Sequence, residues 1–94
     1  VVSVNKKRKG FSGYRVKIFA ENNQFARERA NNIRLDFNQN NDSIQAYVVF
    51  YEPNFEVHLG DFRTRFEALQ FFNQIHEEYP QAYIIKTNVN YPEL

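Results

Sequence analysis

The 94 residues contain no cysteine. No disulfide can staple this fold, no thiol can serve as a nucleophile, and the redox compartment cannot be read from the chain. Charge of one sign is scarce as well: 12 basic residues against 11 acidic ones leave a net +1. A domain that grips a phosphate backbone normally carries a basic surplus, so charge points to neither nucleic acid nor an anionic membrane. No apolar run approaches the roughly 20 residues that cross a bilayer, so no direct membrane insertion is expected of this segment. An initiator methionine and a signal peptide are also missing. The expectation is an excised domain whose targeting segment lies upstream of Val1. Catalytic combinations are thin. Ser3, Ser12 and Ser43 fall in a lead-in or a loop, and His58 and His76 have no third partner at a telling spacing. His58 with Asp61 comes nearest to a metal pair and lacks the remaining ligands. These absences lead to a binding module rather than an enzyme, with no metal and no cofactor.

What the chain has is aromatic mass and an internal repeat. Aromatics make up 17% of it, with ten phenylalanines, enough bulk for the core of one small domain. Tyr14-Arg15-Val16-Lys17-Ile18 returns as Phe55-Glu56-Val57-His58-Leu59, 41 positions later. Ala26, Ala30, Ile33 and Phe37 return as Ala68, Phe72, Ile75 and Tyr79, 42 positions later. Ala46-Tyr47-Val48-Val49 returns as Ala82-Tyr83-Ile84-Ile85, 36 positions later. Each copy reads strand, helix, strand. A duplicated βαβ unit predicts an α+β, ferredoxin-like βαββαβ fold, with a four-stranded antiparallel sheet and two helices on one face. The other face is then left as a platform.

The expected boundaries follow from composition and period. Residues 1–13, with Lys6-Lys7-Arg8-Lys9, read as a solvated linker or a stretch drawn to an anionic surface. Residues 14–89 form the domain and 90–94 a tail. A strand over 14–19 alternates apolar and polar residues. Asn22-Asn23 caps a helix over about 24–38, and the asparagine-rich stretch 38–43 reads as a loop. Pro53-Asn54 marks a tight turn between strands over 44–52 and 55–60. Thr64-Arg65-Phe66-Glu67 is a capping box. The helix it opens should run to Tyr79, where Pro80 forbids continuation, and the last strand should cover 82–88.

Directly paired residues share a face of the sheet. A two-residue turn puts Tyr51 opposite Glu56 and Val49 opposite His58. Val16, Ile18, Val57 and Leu59 then face the helices, while Arg15, Lys17, Tyr47, Val49, Tyr51, Glu56 and His58 face out. The repeat places Tyr83 and Ile85 outward as well and Lys86 inward. Tyrosine rings beside ammonium and imidazole donors suit sugars, whose apolar C–H faces are rimmed by hydroxyls. Tyrosine is also common in strands for packing reasons alone. RNA-recognition motifs share the βαββαβ order. Here the third strand reads Phe55-Glu56-Val57-His58-Leu59-Gly60, with an acid outward and without the basic-glycine-aromatic signature, which makes RNA binding the weaker reading.

The segment Gly13-Tyr14-Arg15-Val16-Lys17-Ile18, followed by an alanine-spaced helix, resembles the first half of a SPOR (sporulation-related repeat) domain. Val57-His58-Leu59-Gly60-Asp61-Phe62-Arg63-Thr64-Arg65-Phe66-Glu67-Ala68 resembles its second half. The likeness spans about residues 13–88 and departs from the family pattern at Lys17, Phe19, Ala20, Glu56 and His58. The resemblance implies non-catalytic binding of bacterial peptidoglycan, namely glycan strands stripped of stem peptides, through the open sheet face. It also implies a periplasmic or cell-envelope location, an anchor upstream of Val1 and a role in cell division. The residues expected to bind are Arg15, Lys17, Tyr47, Tyr51, Glu56, His58, Phe62 and Tyr83. A protein-interaction module of the envelope is the alternative.

Overall fold

A computed structural model describes residues 10–90. The element order is β1 (Gly10–Glu21), α1 (Ala26–Asn40), β2 (Ala46–Tyr51), β3 (Asn54–Phe62), α2 (Arg65–Ile75) and β4 (Tyr83–Asn90). The strands form one antiparallel sheet in the order β2-β3-β1-β4. The two halves of the repeat therefore interlock, with the first strand of each at the centre. Lys17 and His58, equivalent positions in the two copies, lie directly opposite each other.

Both helices cover one face. Val16, Ile18, Ala46, Val57 and Leu59 of the sheet and Ala30 and Phe37 of α1 form the buried centre. Phe71, Phe72 and Ile75 of α2 pack against the same cluster. Each large aliphatic side chain enclosed in this way contributes about 1.5–3 kcal/mol. Alanine at 26, 30 and 68, each fully buried, lets the helices sit close to the strands. The Thr64 hydroxyl accepts from the Glu67 amide at 3.1 Å, and Glu67 reaches back to the Arg63 amide, one residue before the expected cap residue. Among the described residues no helix is long and apolar enough to cross a membrane.

Several boundaries differ from expectation. The first strand opens at Gly10, because Gly10–Gly13 pair with Asn90–Thr87 of β4; the expected lead-in is thus partly sheet, and the Lys6–Lys9 run lies outside the described residues. Helix α1 continues to Asn40, so the asparagines read as loop supply its last turn. The Asn38 amide then bonds both the N–H (2.8 Å) and the C=O (3.3 Å) of Ala46, closing part of the outer edge of β2. At the other end, Asn23 does not cap α1 directly. Its side chain accepts from the Phe25 amide at 2.9 Å and turns the chain into the helix. Helix α2 ends at Ile75, followed by hydrogen-bonded turns in which the Tyr79 amide still reaches the Ile75 carbonyl at 2.9 Å.

The β2–β3 register is shifted by two residues from the expected one. Tyr51 faces Asn54, Val49 faces Glu56 and Tyr47 faces His58, because Glu52-Pro53, joined by a cis peptide, occupies the turn. A shift of two preserves every side chain's face.

Two β-bulges interrupt the β1–β3 ladder, one between Tyr14 and Val16 and one between Lys17 and Phe19. In the first, Gly60 (φ 83°) is the added residue on β3, and its N–H is taken by the Gln45 carbonyl at 2.8 Å. In the second, Ile18 and Phe19 both pack toward the core. The Ile18 carbonyl accepts from the Gln81 side chain at 2.7 Å.

Candidate functional site

The face away from the helices carries one row of residues across all four strands: Tyr47, His58, Lys17, Tyr83. The row repeats the internal symmetry, with equivalent tyrosines at its ends and the equivalent Lys17 and His58 between them. A cation lies over each ring. The Arg15 guanidinium is 4.2 Å from the Tyr47 centroid, and the Lys17 ammonium is 4.8 Å from that of Tyr83.

The charges in this face compensate in pairs. Arg15 Nη2 donates to Asp61 Oδ1 at 2.8 Å, and the Tyr47 hydroxyl donates to the other oxygen of Asp61. Lys17 Nζ meets Glu56 Oε2 at 3.4 Å, while Glu56 Oε1 lies 2.7 Å from His58 Nε2. A carboxylate only accepts, so His58 carries its proton on Nε2 and presents Nδ1 as an acceptor. That Nδ1 is buried and has no hydrogen-bond partner. Burial pushes the His58 pKa below 6.5, and Arg15 and Lys17 act in the same direction, while Glu56 opposes them. Lys17 is pushed above 10.5 by its contact with Tyr83 first and by Glu56, with partial burial opposing.

This geometry corrects the expectation of a fully wet platform. Arg15, Glu56 and His58 are only 8%, 4% and 5% exposed. They face away from the helices as expected, yet they are enclosed, with Arg15 paired to Asp61 and Glu56 bridging Lys17 and His58. Tyr51 and Tyr83 do remain open, at 71% and 52%. Phe62 is a second correction. The Gly60 bulge turns it to the helix side, where its ring lies 5.4 Å from that of Phe71, so it serves the core and not the outer face. Asp61 takes its place on the outer face. The pairing expected to be nearest to a metal site, His58 with Asp61, is replaced by His58 with Glu56 and Asp61 with Arg15. Among the described residues no cluster of three or more potential ligands surrounds a metal position.

A cleft of about 300 Å³ opens on this face, bordered by Lys17, Val49, Tyr51, Glu56, His58, Ile85, Lys86 and Thr87. The bordering residues combine an exposed aromatic ring, two aliphatic side chains, an imidazole, a hydroxyl, a carboxylate and two lysines. Such a lining offers an apolar surface flanked by donors and acceptors. Alternation placed five of these positions, Lys17, Val49, Tyr51, Glu56 and His58, and the repeat a sixth, Ile85; Lys86, expected inward, also borders the cleft. Comparison with family models, curated proteins and solved structures finds no match for this chain.

Proposed function

We propose that this chain is a non-catalytic module that binds cell-wall glycan in the bacterial envelope, through the sheet face opposite its helices, and so localises a larger protein. The observation that carries the reading is the outer cleft, where exposed Tyr51 stands beside the paired charges of Lys17 and Glu56. Aromatic rings beside fixed polar groups suit a sugar, with its alternating C–H and hydroxyl surfaces. The SPOR-like segments around Tyr14–Ile18 and Val57–Ala68 support the same ligand class and an envelope location. The interlocked fold supports them too, since its two central strands come from the two copies of the repeat.

Sedimentation with purified peptidoglycan sacculi tests this reading. The chain should pellet with sacculi, and more of it should pellet after an amidase has removed the stem peptides. Retention in the supernatant in both cases overturns the proposal.

A second reading has its own observation. Phe50 and Tyr51, at the end of β2, are exposed at 58% and 71%, and an open aromatic pair at a hairpin tip suits a protein partner. Under that reading an envelope protein, and not the sacculus, retains the chain.

A further inference from the structure

Lys17 borders two clefts. On its β3 side lies the 300 Å³ cleft described above. On the other side a second cleft of about 230 Å³ opens among Phe19, Ala20, Gln81 and Tyr83, with Lys17 as the common wall. The second bulge creates it. Without the bulge, Phe19 would follow Lys17 on the outer face. With it, Phe19 packs toward the core, and the next residue paired with outward-facing Glu56 is Ala20. A methyl group thus stands where the alternation would have placed an aromatic ring.

Volume argues that the two clefts act together. Ligand pockets run upward from about 300 Å³. The first cleft sits at that floor and the second below it. The ridge between them, Lys17 against the Tyr83 ring, presents an ammonium to both sides. The second cleft also has its own polar group. Gln81 donates one Nε2 N–H to the Ile18 carbonyl, which fixes the amide and leaves its oxygen as an acceptor. Apart from Lys17 the residues around it carry no charge.

We propose that the two clefts are adjoining subsites for consecutive sugar units of one glycan strand, with Lys17 hydrogen-bonding to both units. This deepens the wall-binding reading and rests on it. The first subsite offers Tyr51 as its aromatic surface. The second offers the exposed ring of Tyr83, with Gln81 accepting from a hydroxyl or an acetamido N–H.

Titration with β-1,4-linked N-acetylglucosamine oligomers, followed by amide NMR shifts and calorimetry, tests the arrangement. Affinity should rise at least about tenfold from the monosaccharide to the tetrasaccharide. Amide shifts at Gln81 and Tyr83 should move only with the longer oligomers. Ala20→Trp, which fills the second cleft, should abolish the gain with length while leaving monosaccharide affinity unchanged. Gln81→Ala reads the same subsite should the tryptophan disturb β1, and should reduce the gain severalfold. Tetrasaccharide affinity that survives both variants, with Gln81 and Tyr83 unshifted, overturns the second subsite and leaves wall binding standing. Failure of every oligomer and of sacculi to bind removes wall binding and the subsites with it.

Discussion

Asp61 holds Arg15 at 2.8 Å from the far side of a bulge, on the sheet face that the helices do not cover. Both side chains are largely enclosed, at 16% and 9% exposed. Forming such a pair repays little beyond its desolvation cost, whereas removing one partner strands a charge. Asp61→Ala should therefore cost about 3 kcal/mol and lower the melting temperature by roughly 10 °C or more. Asp61→Asn, which keeps an acceptor, should cost less. Thermal denaturation at pH 7 measures both. A loss below about 1 kcal/mol for the alanine variant would mean that the pair behaves as a solvated surface bridge.

Gly60, as the added residue of the bulge, exchanges the faces of Asp61 and Phe62, sending the carboxylate outward and the ring to the helix side. Its φ of 83° lies where an L side chain is disfavoured by about 1–2 kcal/mol. A Cβ there would also stand 2.2 Å from Phe62 Cε2. The ring would have to leave its place beside Phe71. Gly60→Ala should destabilise the domain by about 2–4 kcal/mol, with the Phe62 and Phe71 ring resonances the most displaced. Denaturant titration gives the first quantity and NMR the second. An alanine variant of unchanged stability would show that the bulge relaxes without cost.

How much of this was legible follows from period and parity. The period-2 alternation put Lys17, Tyr47, Val49, Tyr51, Glu56 and His58 on one face, and the structure keeps them there although the hairpin register is shifted by two. An even shift cannot move a side chain across the sheet. The helical stripe Ala26, Ala30, Ile33, Phe37 was readable for the same reason, as was the Thr64 cap. Bulges break the rule because they add one residue. Each places two near-neighbours against expectation: Phe19 and Ala20 at one, Asp61 and Phe62 at the other. Gly60 inside a strand was the available signal for the second, since an isolated glycine there marks a bulge or a close approach. Nothing comparable marks the first, as Ile18 and Phe19 are ordinary strand residues. The enclosure of Arg15, Glu56 and His58 was not legible either. It depends on which carboxylate meets which cation, and that is decided by the register and the Gly60 bulge rather than by any local pattern.

His58 gives the fold a pH dependence. Its imidazole faces Glu56 on its own strand, Arg15 and Lys17 on β1 and Tyr47 on β2, and burial holds its pKa below 6.5. The unfolded chain therefore takes up this proton more readily than the folded one. Stability from this group is fully present above pH 6.5 and is lost as the pH falls through the lower folded-state value. Protonation would place a donor at buried Nδ1, which has no acceptor. Melting temperatures measured from pH 7.5 down to pH 5 should fall, and His58→Gln should flatten the decline. A parent protein with level stability across that range would contradict the neutral, enclosed imidazole.

Tyr51 separates binding from folding. Its side chain is 71% exposed and borders the outer cleft, so it contributes little to the core. Tyr51→Ala should leave stability within about 0.5 kcal/mol of the parent. If a sugar ring stacks on this tyrosine, the same change should weaken glycan binding by about 0.5–1.5 kcal/mol, or roughly two- to twelvefold. Phe50→Ala is the matched control. Phe50 is similarly exposed, but its ring lies 4.8 Å from that of Phe55, a partner packed against the core on the helix side. It should cost some stability and leave glycan retention unchanged. Sacculus sedimentation of the two variants beside the parent decides between the faces. Loss with Tyr51→Ala alone assigns binding to the cleft, and loss with Phe50→Ala alone assigns it to the helix-side end of the hairpin. Equal loss with both points to the hairpin tip as a docking surface, which favours the protein-partner reading over the glycan one.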